Sequence, residues 1–590
     1  MIKAKTTDWQ TIKRIFELTK PFKQKFILTL CLGILLAIVS PIRPILIQKT
    51  IDDDIMMQDG LGLKLMSLLI FINIFLEFVI KYIFSLQSTI LGQSIMKYLR
   101  TKLFNHVANL NLSFFDKTPV GIITTRTIND IEAVNNIFSE GFITILTDIL
   151  TLLFVIICML FLNWKLTLVC LTTFPLMLWA TYIFKEKVRV SFHTVREKVA
   201  QLNAFVQEHI SGMRIIQIFN AQENEFRKFE KINYEHYKAN DKSVLYFSIF
   251  FPFVEIVLSL AIALLIWYGS KLVLNEEASL GIFAAFIMYL NMAFRPLRML
   301  ADKFNTLQMG IIAAERVFKL LDNQEKIDDN GKIEKARFDG DIEFRNVSFA
   351  YKEDNFVLNN LSFSIQAGQT LALVGATGSG KSSITNLLNR FYDINSGSIL
   401  IDNIDIKEYS LDSLRAAFAY VLQDVFLFSG SILDNITLNN KNISRETVVD
   451  AAKLVGAHTF IMELPKNYDY EVQERGATLS VGQRQLLSFI RALVYNPSIL
   501  ILDEATSSID TESEILIQQA IQKLVKDRTA IIVAHRLSTI QHADKILVLE
   551  KGKLIEIGNH QTLIQKENGY YKKLYDMQFN SNHTPNFINA

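Results

Sequence analysis

Leu371-Ala372-Leu373-Val374-Gly375-Ala376-Thr377-Gly378-Ser379-Gly380-Lys381-Ser382 is the stretch from which the rest of the chain is read. Four apolar residues read as a buried strand, and the glycine-rich turn that follows opens a helix. Glycines let backbone amides curl around an anion, and the helix N-terminus adds positive potential. Lys381 is suited to neutralise phosphate charge, and the Ser382 hydroxyl to ligate Mg²⁺. The expected cradle is Gly375, Ala376, Thr377, Gly378, Ser379, Gly380, Lys381, Ser382 and Ser383. Taken alone, it predicts an α/β domain that binds a nucleoside triphosphate.

A second apolar run, Ile499 to Leu502, ends in Asp503 and Glu504. The C-terminal ends of strands are where an α/β sheet keeps its chemistry. Asp503 fits a Mg²⁺ partner acting through water. Glu504 fits the group that orients and polarises an attacking water, which predicts a hydrolase.

Upstream the composition changes. Half of all 590 residues are hydrophobic and only 20% are charged, with a mean hydropathy of +0.24; the apolar excess lies in the first 300 residues. Six stretches are long enough to span hydrocarbon, near 26–46, 66–86, 142–162, 165–184, 244–268 and 280–300. The N-terminus and residues 87–141 and 185–243 are rich in Lys and Arg, so both ends are expected in the cytoplasm of a cell-membrane protein. Residues 87–113 and 185–240 read as helices that continue beyond the bilayer. The expected layout is an interfacial helix in 1–25, a membrane domain over 26–321, a linker over 322–340, an ATPase domain over 341–578 and a flexible tail over 579–590. Lys-rich sequence before the first span reads as the flank of a retained signal anchor. Cys31, Cys158 and Cys170 all sit in apolar runs, which argues for packing rather than a disulfide frame or zinc site. A net charge of +2 gives no indication of nucleic acid.

Leu479-Ser480-Val481-Gly482-Gln483, just before the Asp503–Glu504 strand, resembles the signature of ATP-binding-cassette (ABC) proteins. Other landmarks follow in family order. Tyr351 resembles the aromatic that stacks on adenine, and Gln423 the loop glutamine that touches Mg²⁺. Ser507 to Asp510 resembles the loop crossing the dimer interface, and His535 the switch histidine on the γ-phosphate. Glu471 to Gly476, with Glu474 its central acid, resembles a segment specific to exporters, although Gln473 stands where a glycine is usual. Phe114-Phe115-Asp116 and the residues up to Asp130 resemble the region of a first coupling helix, and Ile216 to Glu223 occupy the place of a second. The resemblance implies six membrane helices fused to a P-loop ATPase with an antiparallel β subdomain and a helical subdomain. It also implies ATP and Mg²⁺ as ligands and a dimer, with each ATP held between one P-loop and the partner's Ser480, Gly482 and Gln483. Val481 replaces the usual signature glycine, and in some two-gene exporters the subunit that keeps the catalytic Glu carries an altered signature. A homodimer is the first expectation and a paralogous partner the alternative.

Charges inside apolar spans mark function or pairing. Glu77 and Lys81 share a face with Ser85 and Ser88, and they either pair or line a cavity. Asp148 shares a face with Thr144 and Thr151. Ser248, Glu255 and Ser259 form a third stripe near Pro252, where a helix break is expected. Together they suggest a hydrophilic path for an amphipathic drug or, alternatively, a lipid.

Overall fold

Contacts divide the chain into two units, Met1–Asn109 with Thr118–Gln324, and Leu110–Lys117 with Glu325–Ala590. The computed structural model describes residues 9–352, 355–503, 511–533 and 540–580, with backbone alone at 297, 298, 300–302, 304, 305, 511–513 and 578–580.

The first unit is helical. It runs through α1 (Trp9–Glu17), α2 (Lys23–Val39), α3 (Ile42–Lys49), α4 (Gly60–Ala108), α5 (Leu112–Lys117, which groups with the second unit) and α6 (Val120–Thr125). It continues through α7 (Ile131–Asn136), α8 (Phe142–Leu162), α9 (Trp164–Leu171), α10 (Phe174–Ser211), α11 (Met213–Ile218), α12 (Gln222–Leu274) and α13 (Leu280–Leu321). Among the described residues, five helical stretches are long and apolar enough to cross a membrane, and α13 adds a shorter apolar segment, Leu280–Pro296. At 1.5 Å per residue the 49 residues of α4 extend about 74 Å, far more than a bilayer's hydrocarbon needs.

Pro41 and Pro44 remove two backbone donors, and the first stretch breaks there between α2 and α3. The Tyr289 hydroxyl donates to the Pro41 carbonyl at 2.6 Å. The 185–240 rod is likewise interrupted, by the short α11, with Asn220 left-handed at its exit (φ 49°). By contrast α12 runs unbroken through Pro252, so the break expected there does not form. The core of this unit joins Val254, Val257, Ala261 and Leu265 of α12 to Phe286, Tyr289, Leu290 and Phe294 of α13 and to Cys170 of α9. Cys31, in contrast, is exposed. The helix before the first span is held to α13: Arg14 donates to both Asp322 carboxylate oxygens, at 2.6 and 2.8 Å, and lies over the Phe318 ring.

The second unit contains two main sheets. Strands β1 (Ile342–Ala350), β2 (Phe356–Ile365), β4 (Ser396–Ile401) and β5 (Ile404–Asp405) form an antiparallel sheet in the order β2-β1-β4-β5. The six-stranded sheet has the order β12-β11-β3-β10-β9-β6. Its members are β3 (Thr370–Gly375), β6 (Phe418–Val421), β9 (Ile499–Asp503), β10 (Thr529–Val533), β11 (Lys545–Glu550) and β12 (Lys553–Gly558), all parallel except β12. Fully buried strands such as Leu371-Ala372-Leu373 and Ile499-Leu500-Ile501 suit a parallel sheet covered on both faces. A helical portion includes α16 (Ile432–Thr437), α17 (Arg445–Leu454), α18 (His458–Glu463) and α19 (Val481–Val494), following α14 (Lys381–Leu388) and α15 (Leu411–Ala416). The fold class is that expected: an all-helical unit with membrane-length apolar helices and an α/β P-loop domain with an antiparallel β subdomain and a helical subdomain.

Polar residues 325–341 are stitched to this unit. Asp402 accepts the backbone N–H groups of Asp339, Gly340 and Asp341 and the Lys335 ammonium at 2.7 Å. These bonds hold its carboxyl below the ordinary value although burial opposes them.

Candidate functional site

The strand registers put the candidate residues at one edge of the six-stranded sheet. Val533 of β10 is level with Leu373 of β3 and with Asp503 of β9, and Leu502 is level with Val421 of β6. Because these strands are parallel, the P-loop, Asp503 and Gln423 all leave the same C-terminal edge. Glu504 follows β9 and His535 follows β10; both lie outside the described residues, as do Ser507, Ser508, Ile509 and Asp510.

Between β3 and α14 the backbone turns through Gly378 (φ +80°) and Gly380 (φ +102°), conformations that disfavour a side chain. A Cβ on Gly378 would meet nothing within 4 Å, whereas one on Gly380 would press on Leu358 and on the Val357 carbonyl. The loop is therefore open on one side and packed on the other. Lys381 is 7% exposed, and its ammonium donates to the Gly375 and Ala376 carbonyls at 2.7 and 3.1 Å. Burial pushes its pKa down and the nearby Asp503 charge resists that shift. The Ser379 hydroxyl is buried with no hydrogen-bond partner among the described residues. A buried cation hydrogen-bonded to two carbonyls and a buried hydroxyl in an open, glycine-lined loop fit a phosphate group, which would satisfy both.

Ser382 and Gln423 are exposed and Asp503 is partly buried. A hydroxyl, an amide oxygen and a carboxylate fit a hard, oxygen-preferring cation such as Mg²⁺. Ser383 faces the other way: its buried hydroxyl lies 3.2 Å from the Tyr351 hydroxyl. The Tyr351 ring is 39% exposed and packs edge-on against Phe349 and Tyr392, at 4.7 and 5.0 Å.

Ser480 caps α19. Its hydroxyl accepts the Gln483 N–H at 3.1 Å, and the Gln483 side chain accepts the Ser480 N–H at 3.0 Å, a complete capping box. Gly482 is buried and Val481 is 43% exposed. Among the described residues, no hydrogen bond or ion pair joins 479–483 to the loop at 375–383. In the segment before the signature, Gln473 has extended backbone (φ −72°, ψ 170°) open to any residue; the left-handed positions are Arg475 and Gly476. The glycine usual at 473 is therefore not needed here, and Glu474 is exposed.

The polar residues of the membrane unit are partnered differently from the sequence expectation. Glu77 does not pair with Lys81. It accepts from Ser40 at 3.1 Å and pairs with Arg43 at 3.5 Å, while Lys81 is exposed. Asp148 pairs with Lys303 of α13. Ser248, Glu255 and Ser259 are exposed on α12. Glu77 and Asp148 are each taken up by a cation from another helix.

Two relationships escaped the sequence reading. The Tyr392 hydroxyl donates to Asp116 of α5, and just before that helix the Asn111 N–H donates to the Glu325 carbonyl. The Tyr420 hydroxyl meets Thr385 of α14 at 3.0 Å. Arg43 was the readable signal for Glu77's partner, since an arginine inside an apolar stretch calls for an acid.

Comparison with known proteins agrees with this architecture. Residues 26–297 match the family description "ABC transporter transmembrane region", and residues 358–507 match "ABC transporter". An ABC transporter ATP-binding protein of Bacillus subtilis, YknV, is 41% identical over 98% of this chain and 96% of its own length. An ATP-dependent lipid A-core flippase of Syntrophus aciditrophicus is 35% identical over 96% and 94%. YheH of B. subtilis, an ATP-binding/permease protein named for multidrug resistance, is 39% identical over 83% and 73%. With the P-loop geometry, the fused helical unit and these matches in hand, the chain belongs to the ABC transporter family, as an ATP-binding, ATP-hydrolysing membrane protein of exporter architecture.

Proposed function

We propose that this chain is one half of a primary active exporter that moves amphipathic small molecules out of the cytoplasm or the inner leaflet, working as a dimer in the cell membrane. The observation that carries the dimer is the separation of the two nucleotide-binding parts. The P-loop and the Ser480 cap carry the two halves of a nucleotide site, yet no bond among the described residues connects them. A second copy would supply its Ser480, Gly482 and Gln483 to this P-loop and receive the reciprocal set. The proposed layout is the one expected above: an interfacial helix to 25, a membrane domain to 321, a linker to 340, an ATPase domain to 578 and a tail, with both ends cytoplasmic.

In this reading Lys381 and the loop amides hold the phosphates, Tyr351 meets the adenine, and Ser382, Gln423 and Asp503 hold Mg²⁺. When bound, that ion would neutralise phosphate charge. Glu504 orients the attacking water and accepts its proton, while His535 senses the γ-phosphate. Asp510 meets the partner across the interface, and Glu474 passes the closure to the membrane helices. Glu255, with Ser248 and Ser259, faces the transport path once a second chain covers that surface; Glu77, Lys81 and Asp148 border it.

The name of the B. subtilis YheH relative supports a drug-like substrate, and that of the S. aciditrophicus relative supports a lipid. Val481 in place of the signature glycine favours a second reading, in which the partner is a paralogue. The test is ATP hydrolysis by the purified chain in lipid nanodiscs. As a homodimer it turns over alone, Ser480→Ala impairs it, and Glu504→Gln still binds MgATP while losing at least about 10²-fold in rate. Near-normal turnover by Glu504→Gln would overturn its role. An inactive lone chain rescued by a second protein would replace the homodimer with the paralogous pair.

A further inference from the structure

Two cavities adjoin on α10 and α12, where these helices pass from apolar to Lys-rich sequence. One, of about 210 Å³, is lined by Trp179, Ile183, Phe184, Ile249, Phe250 and Phe253, among other apolar residues. The other, of about 470 Å³, is lined by Lys187, Lys198, Lys238, Lys242, Ser191 and Thr194, with Glu235 as its one acid. Lys187 and Tyr246 line both, so the cavities form one amphipathic groove.

The groove is held in shape. The Phe184 and Phe250 rings stack at 3.9 Å beneath the apolar part, and the buried Ser191 and Ser243 hydroxyls meet at 2.8 Å between the same helices beside the polar part. Its charge is unbalanced. Glu235 is taken up by Lys198 at 2.6 Å, and Lys187, Lys238 and Lys242 have no ion-pair partner among the described residues. Three such ammonium groups beside an apolar slot, where the expected spans 165–184 and 244–268 end, complement an anion that carries a hydrocarbon tail.

We propose that this groove is a binding site for an anionic phospholipid of the adjoining leaflet. The headgroup phosphate lies among Lys187, Lys238 and Lys242, and one acyl chain lies against Trp179, Ile183 and Phe253. The site goes beyond the proposed export function. It lies between two helices of one chain, needs no second copy, and holds a resident lipid rather than a transported one. The lipid would bridge α10 and α12, the two helices that carry α11.

Trp179 reports on the apolar slot. With Trp9, Trp164 and Trp267 changed to Phe, the full chain is reconstituted in phosphatidylcholine vesicles containing increasing bromine-tailed phosphatidylglycerol or bromine-tailed phosphatidylcholine. The expected result is half-maximal quenching of Trp179 at an at least fivefold lower fraction of phosphatidylglycerol. Lys187→Gln, Lys238→Gln and Lys242→Gln together should bring the two lipids to within about twofold, since each lysine near a membrane contributes on the order of fivefold for an anionic lipid. Equal quenching by both lipids in the protein that keeps all three lysines overturns the proposal, as does a preference that survives the triple change. Glycerol 3-phosphate abolishing the preference at millimolar concentration would assign the cations to a soluble phosphate and overturn the lipid as occupant. Native mass spectrometry of the chain with all four tryptophans, delipidated and mixed with phosphatidylglycerol, must show the same loss in the triple variant. A triple variant that binds phosphatidylglycerol as tightly as the parent counts against the site even if its vesicles cannot be made.

Discussion

The His209 imidazole closes a clasp onto Glu225: Nε2 lies 2.7 Å from the Glu225 carboxylate while Nδ1 lies 2.8 Å from the Phe205 carbonyl oxygen. A carbonyl oxygen only accepts, so Nδ1 carries a proton; an ionised carboxylate only accepts, so Nε2 carries one too. Protonated on both nitrogens, the ring donates to both oxygens, and it stacks on Phe205 at 3.6 Å. Lys228 grips the other carboxylate oxygen at 2.8 Å. These bonds join the end of α10 to the start of α12, across the base of α11.

The clasp has a pH window. The Glu225 hydrogen bond raises the His209 pKa, so its contribution is complete below the ordinary imidazole value and is lost as pH rises through the raised one. Lys228 first, then His209, lowers the Glu225 pKa, so that contribution is present above the ordinary carboxylate value and is lost as pH falls through the lowered one. The clasp is whole between the two values and opens on the alkaline side. Hydrogen–deuterium exchange of 212–221, corrected for intrinsic rates, should rise from roughly pH 6 to roughly pH 9. In His209→Gln it should be high and flat. A wild-type profile without that rise would exclude the clasp.

Lys381→Ala removes a buried ammonium that serves phosphate. MgATP at about 100 times its Kd stabilises the wild type by about 2.7 kcal/mol. A tenfold or greater loss of affinity would reduce this to about 1.4 kcal/mol or less at the same concentration. Without nucleotide the variant should unfold at or above the wild-type temperature, because a costly buried charge is gone. Thermal unfolding with and without MgATP checks both, and an undiminished shift counts against the assigned role.

Tyr392→Phe keeps the ring packed on Tyr351 and deletes the hydroxyl that donates to Asp116. Burial, and then Asp116 itself, raise the phenol pKa, so it stays a donor at working pH. Basal ATP hydrolysis should stay within about twofold, because the lost bond is worth about 1 kcal/mol and touches no phosphate ligand. Transport per ATP should fall if the α5 segment carries the coupling. An unchanged ratio would make the bond purely structural.

Arg43→Met strands Glu77 among helices, and Lys81→Gln changes a side chain already exposed. The first should cost about 1–3 kcal/mol, less than for a fully buried pair because both partners keep some exposure. The second should stay within about 0.5 kcal/mol. Unfolding in detergent measures both, and equal losses would restore the Glu77–Lys81 pairing.

Much of this protein was legible in one dimension because the signals are local. Residues 371–382 carry their own strand, turn and helix start, since glycine placement and the Lys-Ser pair act within a dozen residues. The apolar stretches are legible because helices satisfy their own backbone bonds in lipid. The Ser480–Gln483 cap is equally local, three residues apart. What the sequence left open is set by partners distant in the chain. Glu77 was four residues from Lys81 and found Arg43, because α3 brings a cation that helical spacing cannot reveal. Pro252 signalled a break, yet packing of α12 on α13 carries the helix through it. Asp116 met Tyr392, 276 residues away, and Lys187, Lys238 and Lys242 share a groove with Phe184 and Phe250 only because α10 and α12 lie side by side. Local backbone chemistry is written in short stretches of residues; ion pairs and cavities depend on which helices adjoin, and that is decided when the chain packs.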